Sequence, residues 1–155
     1  MNPADLGFED LTSIPIIPRR EVYKQRADLK SHIFKDCPEF VKDYARKLLA
    51  DQWWILVADQ DTGWCNAHYR TIVLPAWLYI KNRSADFKVW YVAHELAHAY
   101  DKCKHSHGPE FMEWLKRICP AECLYHELEY KPRNARQAGI RKPGEVDKDN
   151  IFDMY

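Results

Sequence analysis

Residues 94–98 read His-Glu-Leu-Ala-His, and this pentapeptide restricts the folds open to the chain more than any other feature. His94 and His98 are four positions apart, so on an α-helix they lie on one face and can both reach a single zinc ion. Glu95 lies about 100° round the helix from His94, where it can meet a zinc-bound water without ligating the metal. Because zinc lowers the pKa of that water, a carboxylate in this position can take its proton during attack on a carbonyl.

A chance occurrence of this pattern is improbable for a chain of this composition. With 7 His in 155 residues, about 0.02 matches are expected at random. The flanking sequence predicts a helix over residues 85–103, because Ser84 is a good N-cap and Asp86 is an acid in the first turn. Two histidines with no metal on an ordinary helix are therefore the weaker interpretation.

A catalytic zinc takes three protein ligands and keeps one position open. Downstream of the motif the candidates are His105 and His107, with Glu110 and Glu113 as acidic alternatives. The pair Gly108-Pro109 marks the start of a new helix, and a turn there allows the preceding residue to point back toward the motif. This arrangement favours His107 over His105.

The two motifs together resemble a known family. HELAH, followed after a short basic loop by His-Gly-Pro-Glu-Phe at 107–111, is similar to the SprT-like metalloproteases, which include the Spartan-type proteases of DNA–protein crosslink repair. The likeness covers roughly residues 45–120, including the extended run 70–74. It implies a zincin-like core, a DNA-linked role, and Phe111 as a core residue. It also implies a general base, Glu95, and a Zn²⁺ ion with three histidine ligands: His94, His98 and His107.

The remaining sequence predicts an α+β fold in which the motif helix packs on a small three-stranded sheet. Apolar periodicity indicates N-terminal helices, and the period changes at residue 52 to short runs rich in β-formers. The predicted helices span 19–34, 38–51, 85–103, a segment from 109 and a short segment at 121–130, and the extended runs span 52–58 and 64–74. Residues 19–130 are thus expected to form the metalloprotease domain, with a linker near 75–83.

The two terminal segments are predicted to lie outside this domain. Three prolines within 1–18 indicate an extended arm, and 131–155 show little apolar periodicity, so an irregular tail is expected. Residues 131–142 hold five bases and no acid, which makes them the best candidate for weak DNA contact: Lys131, Arg133, Arg136, Arg141 and Lys142. A merely solvated charged segment is the alternative.

Composition limits the remaining functions. Lys plus Arg and Asp plus Glu both number 23, so binding to nucleic acid by bulk charge is disfavoured. Five cysteines without a CxxC pair predict reduced thiols, and with no signal-peptide core or membrane span we expect a cytoplasmic protein. Cys119, Cys123 and His126 are a weak candidate for a second metal site.

The function expected from these features is a zinc-dependent metallopeptidase that hydrolyses peptide bonds in protein substrates. Two alternatives stay open. One is a non-catalytic binding module stabilised by metal, which would have no use for Glu95. The other is a metallohydrolase acting on a non-peptide amide, which the sequence does not distinguish from a peptidase.

Overall fold

The structure is a computed structural model that describes residues 16–17 and 32–145. Short 3-10 turns lie at His32–Phe34 and Ala121–Cys123. In chain order the other elements are β1 Ile16–Ile17, α1 Glu39–Ala50, β2 Trp54–Ala58, β3 Trp64–Asn66, β4 Thr71–Pro75, α2 Trp77–Ile80, α3 Ala85–Tyr100, α4 Pro109–Ile118, α5 Tyr125–Tyr130 and α6 Pro132–Gln137.

The sheet is mixed, and its strand order is β1-β2-β4-β3. β2 and β4 are parallel, with Trp54 opposite Thr71 and Ala58 opposite Pro75, whereas β3 runs antiparallel to β4. β2 and β4 consist of apolar and β-branched residues that are almost entirely buried, as central strands require, and β3 forms a partly exposed edge. The three strands expected from the sequence are present, and β1 adds a two-residue strand on the opposite edge.

The motif helix α3 lies against the sheet. Ser84 caps it, since the Ser84 hydroxyl accepts a hydrogen bond from the Phe87 N–H at 3.3 Å. Most of α3 is buried, because it is in contact with two strands, β3 and β4, and with two helices, α4 and α5. It ends before Lys102 and Cys103, whose φ angles of 54° and 55° stop the helix. The helix predicted for 85–103 is thus confirmed, with its end at Tyr100.

Helix α4 covers the C-terminal half of α3. Pro109 opens it at a position where the missing N–H costs nothing. Its apolar side chains face inward at helical spacing, and the buried set is Phe111, Met112, Leu115 and Ile118. Phe111 is fully buried, which confirms its predicted place in the core.

Two segments predicted to be irregular contain helix. The expected linker at 75–83 includes α2, and the expected irregular tail after residue 130 includes α6 and the buried residues Ala135 and Ile140. A six-residue helix shows too little periodicity to be read from sequence, and only packing against α4 and α5 makes it stable.

Other expectations lie mostly outside the described residues. Of the predicted N-terminal arm only β1 is described, and of the predicted helix 19–34 only the turn at His32–Phe34. Among the helices of the described ranges, none has the length and apolar character needed to cross a bilayer.

Candidate metal centre

Three histidine rings converge at one point between α3 and the loop that precedes α4. Nε2 of His94 lies 3.2 Å from Nε2 of His98 and 3.2 Å from Nε2 of His107. One ligand atom from each residue lies within 4.8 Å of the other two. The structure therefore brings together the three histidines singled out in the sequence.

This spacing fits a shared metal ion. Metal–nitrogen bonds of about 2.0–2.1 Å in a tetrahedral site place neighbouring ligand nitrogens about 3.3 Å apart. The unprotonated nitrogens of neutral imidazoles are acceptors and do not hydrogen-bond to one another. The approach of the three Nε2 atoms is therefore best explained by a cation that all three can bind. The donor set and its spacing thus suit a divalent cation such as Zn²⁺.

A buried carboxylate holds the first of these rings in place. Oε1 of Glu127, on α5, lies 2.7 Å from Nδ1 of His94 and accepts a second hydrogen bond from the Trp90 indole N–H at 3.0 Å. Glu127 is completely buried. A hydrogen bond from Nδ1 to this carboxylate leaves the lone pair of His94 on Nε2, the atom that faces the other histidines.

The rival third ligand lies elsewhere. His105 is bound to the buried Asp101, whose carboxylate lies 2.7 Å from Nδ1 of His105 and accepts from its backbone N–H at 2.9 Å. Asp101 thereby shapes the loop between α3 and α4, and it directs His107 rather than His105 to the cluster. The acidic alternatives, Glu110 and Glu113, are also absent from the cluster. No other group of three potential ligands occurs within residues 32–145. The weak candidate for a second metal site, Cys119, Cys123 and His126, is therefore not formed there.

Burial keeps His98 and His107 neutral. Desolvation, followed by the neighbouring histidines, lowers the pKa of His98 to about 3, and desolvation with His94 lowers the pKa of His107 to about 4. Phe111 contributes to this dry environment, since its ring stacks on His98 with centroids 4.3 Å apart. Neutral rings are the form that binds a metal.

Glu95 lies beside the cluster and is almost fully buried. Its Oε2 atom receives no hydrogen bond from any group in the described part of the chain. Burial is the main cause that raises the pKa of Glu95 to about 7, while the neighbouring His94 opposes the shift and Glu127 adds to it. A carboxylate with a pKa near neutrality and an open acceptor atom is suited to receive a proton.

The backbone of Gly63 forms the wall opposite Glu95. A Cβ at this position would lie 2.8 Å from Cε1 of Tyr91 and 3.1 Å from Oε1 of Glu95. The Gly63 N–H donates a hydrogen bond to the Tyr91 hydroxyl at 2.8 Å. The turn before β3 therefore approaches α3 so closely that a side chain at this position would displace Tyr91 and crowd Glu95.

A cavity of about 720 Å³ opens onto the histidines and Glu95. The lining includes Gly63 and Cys65 near β3, and Tyr130 and the loop residues up to His107. Four aromatic side chains also line it: Trp77, Phe87, Trp90 and Tyr91. Tyr130 is 51% exposed, and its ring centroid lies 5.5 Å from that of His94 and 5.6 Å from that of His107.

Three residues of this site were not predicted from the sequence. Glu127 and Tyr130 lie 29 and 32 positions after the end of the motif, on a short helix whose place in the fold the sequence does not reveal. Gly63 was assigned only to a turn. The one available signal was the acid-rich segment 125–130, because histidine ligands commonly need a carboxylate partner.

The basic segment proposed for DNA contact is partly neutralised. Arg136 pairs with Glu145 at 2.8 Å, and Arg141 donates to the backbone carbonyls of Arg136 and Ile140. Lys131 lies over the Tyr130 ring, 5.0 Å from its centroid. Arg133 is exposed, as is Lys142.

We compared the chain with protein-family models, curated proteins and solved structures, and none of them matches it.

Proposed function

We propose that this protein is a zinc-dependent metallopeptidase that cleaves peptide bonds in protein substrates. The observation that carries the proposal is the convergence of His94, His98 and His107 beside a buried carboxylate, Glu95, whose pKa is raised toward neutrality. A purely structural metal site would need a fourth protein ligand and would gain nothing from this carboxylate.

The three histidines would hold the metal through their Nε2 atoms. A set of three imidazoles with an open position is typical of catalytic zinc, which when bound acts as a Lewis acid and lowers the pKa of water. Glu127 orients His94, and Asp101 shapes the loop that delivers His107. The chain thus supplies both the ligands and the groups that position them.

Glu95 is the general base of the proposed reaction. Its open Oε2 atom accepts a proton from the attacking water, and the protonated carboxyl then donates that proton to the amine that leaves. Burial favours the neutral form of the carboxyl group, so that near neutral pH it can both accept the proton and donate it again. Gly63 and Tyr91 hold the side chain from the other side.

Tyr130 is the proposed hydrogen-bond donor to the negative charge that develops on the carbonyl oxygen. Its ring lies beside two of the three histidines, and half of its surface faces the cavity side and solvent. A phenol in such a position stabilises an oxyanion, and removing one such donor typically costs about 10²–10³ in rate.

The cavity favours a polypeptide with a bulky apolar side chain near the bond that is cut. Trp77, Phe87 and Trp90 contribute to its lining, and the volume of about 720 Å³ is large enough for an aromatic side chain with adjoining backbone. A non-peptide amide remains the second candidate, but the volume of the cavity and its aromatic lining favour a peptide.

The likeness of HELAH and HGPEF to SprT-like proteases supports the same proposal, and with it a zincin-like fold and a role near DNA. The DNA component is carried only by that likeness and by the exposed bases Arg133 and Lys142. We therefore treat DNA as a recruiting surface and not as the substrate.

The proposal is tested by incubating the zinc-loaded protein with an unfolded protein substrate and following fragments by mass spectrometry. Cleavage should disappear on chelation and return with Zn²⁺. Glu95→Gln should lower the rate by about 10²–10⁴-fold while keeping zinc, because it removes a base and not a ligand. Cleavage that survives in Glu95→Gln, or zinc lost from it, would refute the mechanism.

A further inference from the structure

Two cysteines face each other across one wall of the cavity. Sγ of Cys65, on the edge strand β3, lies 3.1 Å from Sγ of Cys103, in the loop after α3. Both thiols are free, Cys65 is partly exposed and Cys103 is exposed, and both residues line the cavity. They are 38 positions apart in the chain, so only the tertiary fold brings them together.

The position of Cys103 is set by its backbone. Lys102 and Cys103 both adopt positive φ, and the Cys103 N–H donates to the carbonyl of His98 at 2.9 Å. Cys103 lies in the loop that leads to His107. A covalent link at this point would join the edge strand to the segment that carries the third histidine.

Cys103 is the exposed member of the pair and Cys65 the partly buried one, which favours a reactive thiol at Cys103 and a resolving thiol at Cys65. Hydrogen bonding with Cys65, and to a lesser extent with the Ala67 backbone, lowers the pKa of Cys103, whereas the same pair and burial raise that of Cys65. Exposure together with thiolate character is what makes a cysteine susceptible to oxidation.

A second thiol pair provides an internal comparison. Cys119 and Cys123 are also close enough to share a hydrogen bond, yet they are only 3% and 4% exposed within the core cluster. A peroxide in solution reaches Cys103 but not these two. Proximity is thus common to both pairs, and access distinguishes them.

We propose that Cys65 and Cys103 form a reversible oxidation site, a dithiol that a hydroperoxide converts to a disulfide across the cavity wall. The Cys103 thiolate attacks a peroxide oxygen and releases hydroxide, which leaves a sulfenic acid. The Cys65 thiol then attacks that sulfur, the S–S bond forms, and water departs. Overall, two thiols and one hydrogen peroxide yield one disulfide and two waters.

The disulfide would close a loop of about 40 residues that contains all of β4 and α3. Such a link reduces the conformational freedom of the unfolded chain, and it removes relative motion between β3 and the loop that ends at His107. The oxidised protein should therefore melt at a temperature about 5–10 °C higher than the reduced protein. This expectation does not depend on peptidase activity.

The test treats the full-length, zinc-loaded protein with hydrogen peroxide and counts free thiols under denaturing conditions. Two of the five should be lost, a peptide pair joined through Cys65 and Cys103 should appear after digestion, and a thiol reductant should restore both. Cys103→Ser should abolish the link. Cys119→Ala, the matched change in the buried pair, should leave it intact.

Other products would overturn the proposal. These are five intact thiols, irreversible oxidation of Cys103 without a link, a disulfide that includes Cys37, Cys119 or Cys123, and a link between two chains. Circular dichroism of each variant shows whether it is folded. If the disulfide forms in a protein without peptidase activity, the proposed function fails and the oxidation site stands.

Discussion

Oε1 of Glu127 lies 2.7 Å from Nδ1 of His94, and both residues are buried. This contact joins α5 to the motif helix and fixes the tautomer of a ring that the sequence marks as a metal ligand. The same carboxylate oxygen accepts from Trp90, so the ring orientation is set by two elements of the fold.

Glu127→Gln should weaken zinc binding by about 10-fold or more, because a partner of this kind typically contributes 10–100-fold to affinity. The amide oxygen still accepts a hydrogen bond but no longer carries the negative charge that makes His94 a stronger donor to metal. Competition with a chromogenic chelator measures the affinity. Glu129→Gln removes an exposed charge from the same helix and is the matched control; an equal loss in both variants would contradict the role of Glu127.

His107→Ala should remove most of the zinc affinity, whereas His105→Ala should retain it. Only Nε2 of His107 lies at ligand distance from the other two rings, and His105 is held by Asp101. Metal content after dialysis against a weak chelator distinguishes the two. Retention by His107→Ala together with loss by His105→Ala would show that the loop takes another conformation when metal is bound.

Glu95 should make the stability of the metal-free protein depend on pH. Its pKa is about 7 in the folded protein against an ordinary value of 4.5, so the folded state binds more protons between these values. The stability that Glu95 contributes is therefore fully present below about pH 4.5 and is lost as the pH rises through 7, by about 3 kcal/mol.

Glu95→Gln should abolish this contribution, so the difference in unfolding free energy between variant and parent should shift in favour of the variant from pH 5 to about pH 8. Urea titrations of the chelated proteins measure it. Glu122→Gln, at an exposed position, is the control and should show no such trend. A difference that does not change with pH would mean that Glu95 is not desolvated.

Gly63→Ala should lower peptidase activity without releasing zinc. The added Cβ collides with Tyr91 and crowds Glu95, while the histidines are untouched. Rate and zinc content of the variant are compared with those of Asp59→Ala, an exposed change in the same turn. Equal activity in both variants would show that Tyr91 and Glu95 can accommodate the added Cβ without loss of function.

If DNA recruits the protein, the double variant Arg133→Gln, Lys142→Gln should reduce the slope of log affinity against log salt by about 1.8 for duplex DNA. These two bases are exposed, whereas Arg136 is paired with Glu145. Deleting the whole segment is a poor test, because Ala135 and Ile140 belong to the core. Lys35→Gln removes an exposed base outside this segment and is the control, which should leave the slope unchanged. If the parent protein binds no DNA at low salt, the DNA hypothesis is wrong.

The sequence by itself determined those site residues that lie close together in the chain. His94, Glu95 and His98 lie within one and a half turns of a helix, so helical geometry alone orders them. The turn at Gly108-Pro109 favoured His107 for a similar local reason. Central strands β2 and β4 were visible because they are continuous apolar runs between turn signals.

Only the tertiary structure decided the rest of the site. Glu127 and Tyr130 reach the histidines because α5 packs against α3, and Gly63 meets Glu95 because β3 lies against the same helix. The Cys65–Cys103 pair and the core position of α6 have the same origin. Such contacts join residues far apart in the chain. They are stabilised by the burial of apolar surface between elements, and the hydrophobic periodicity of a single segment does not indicate which elements pack together.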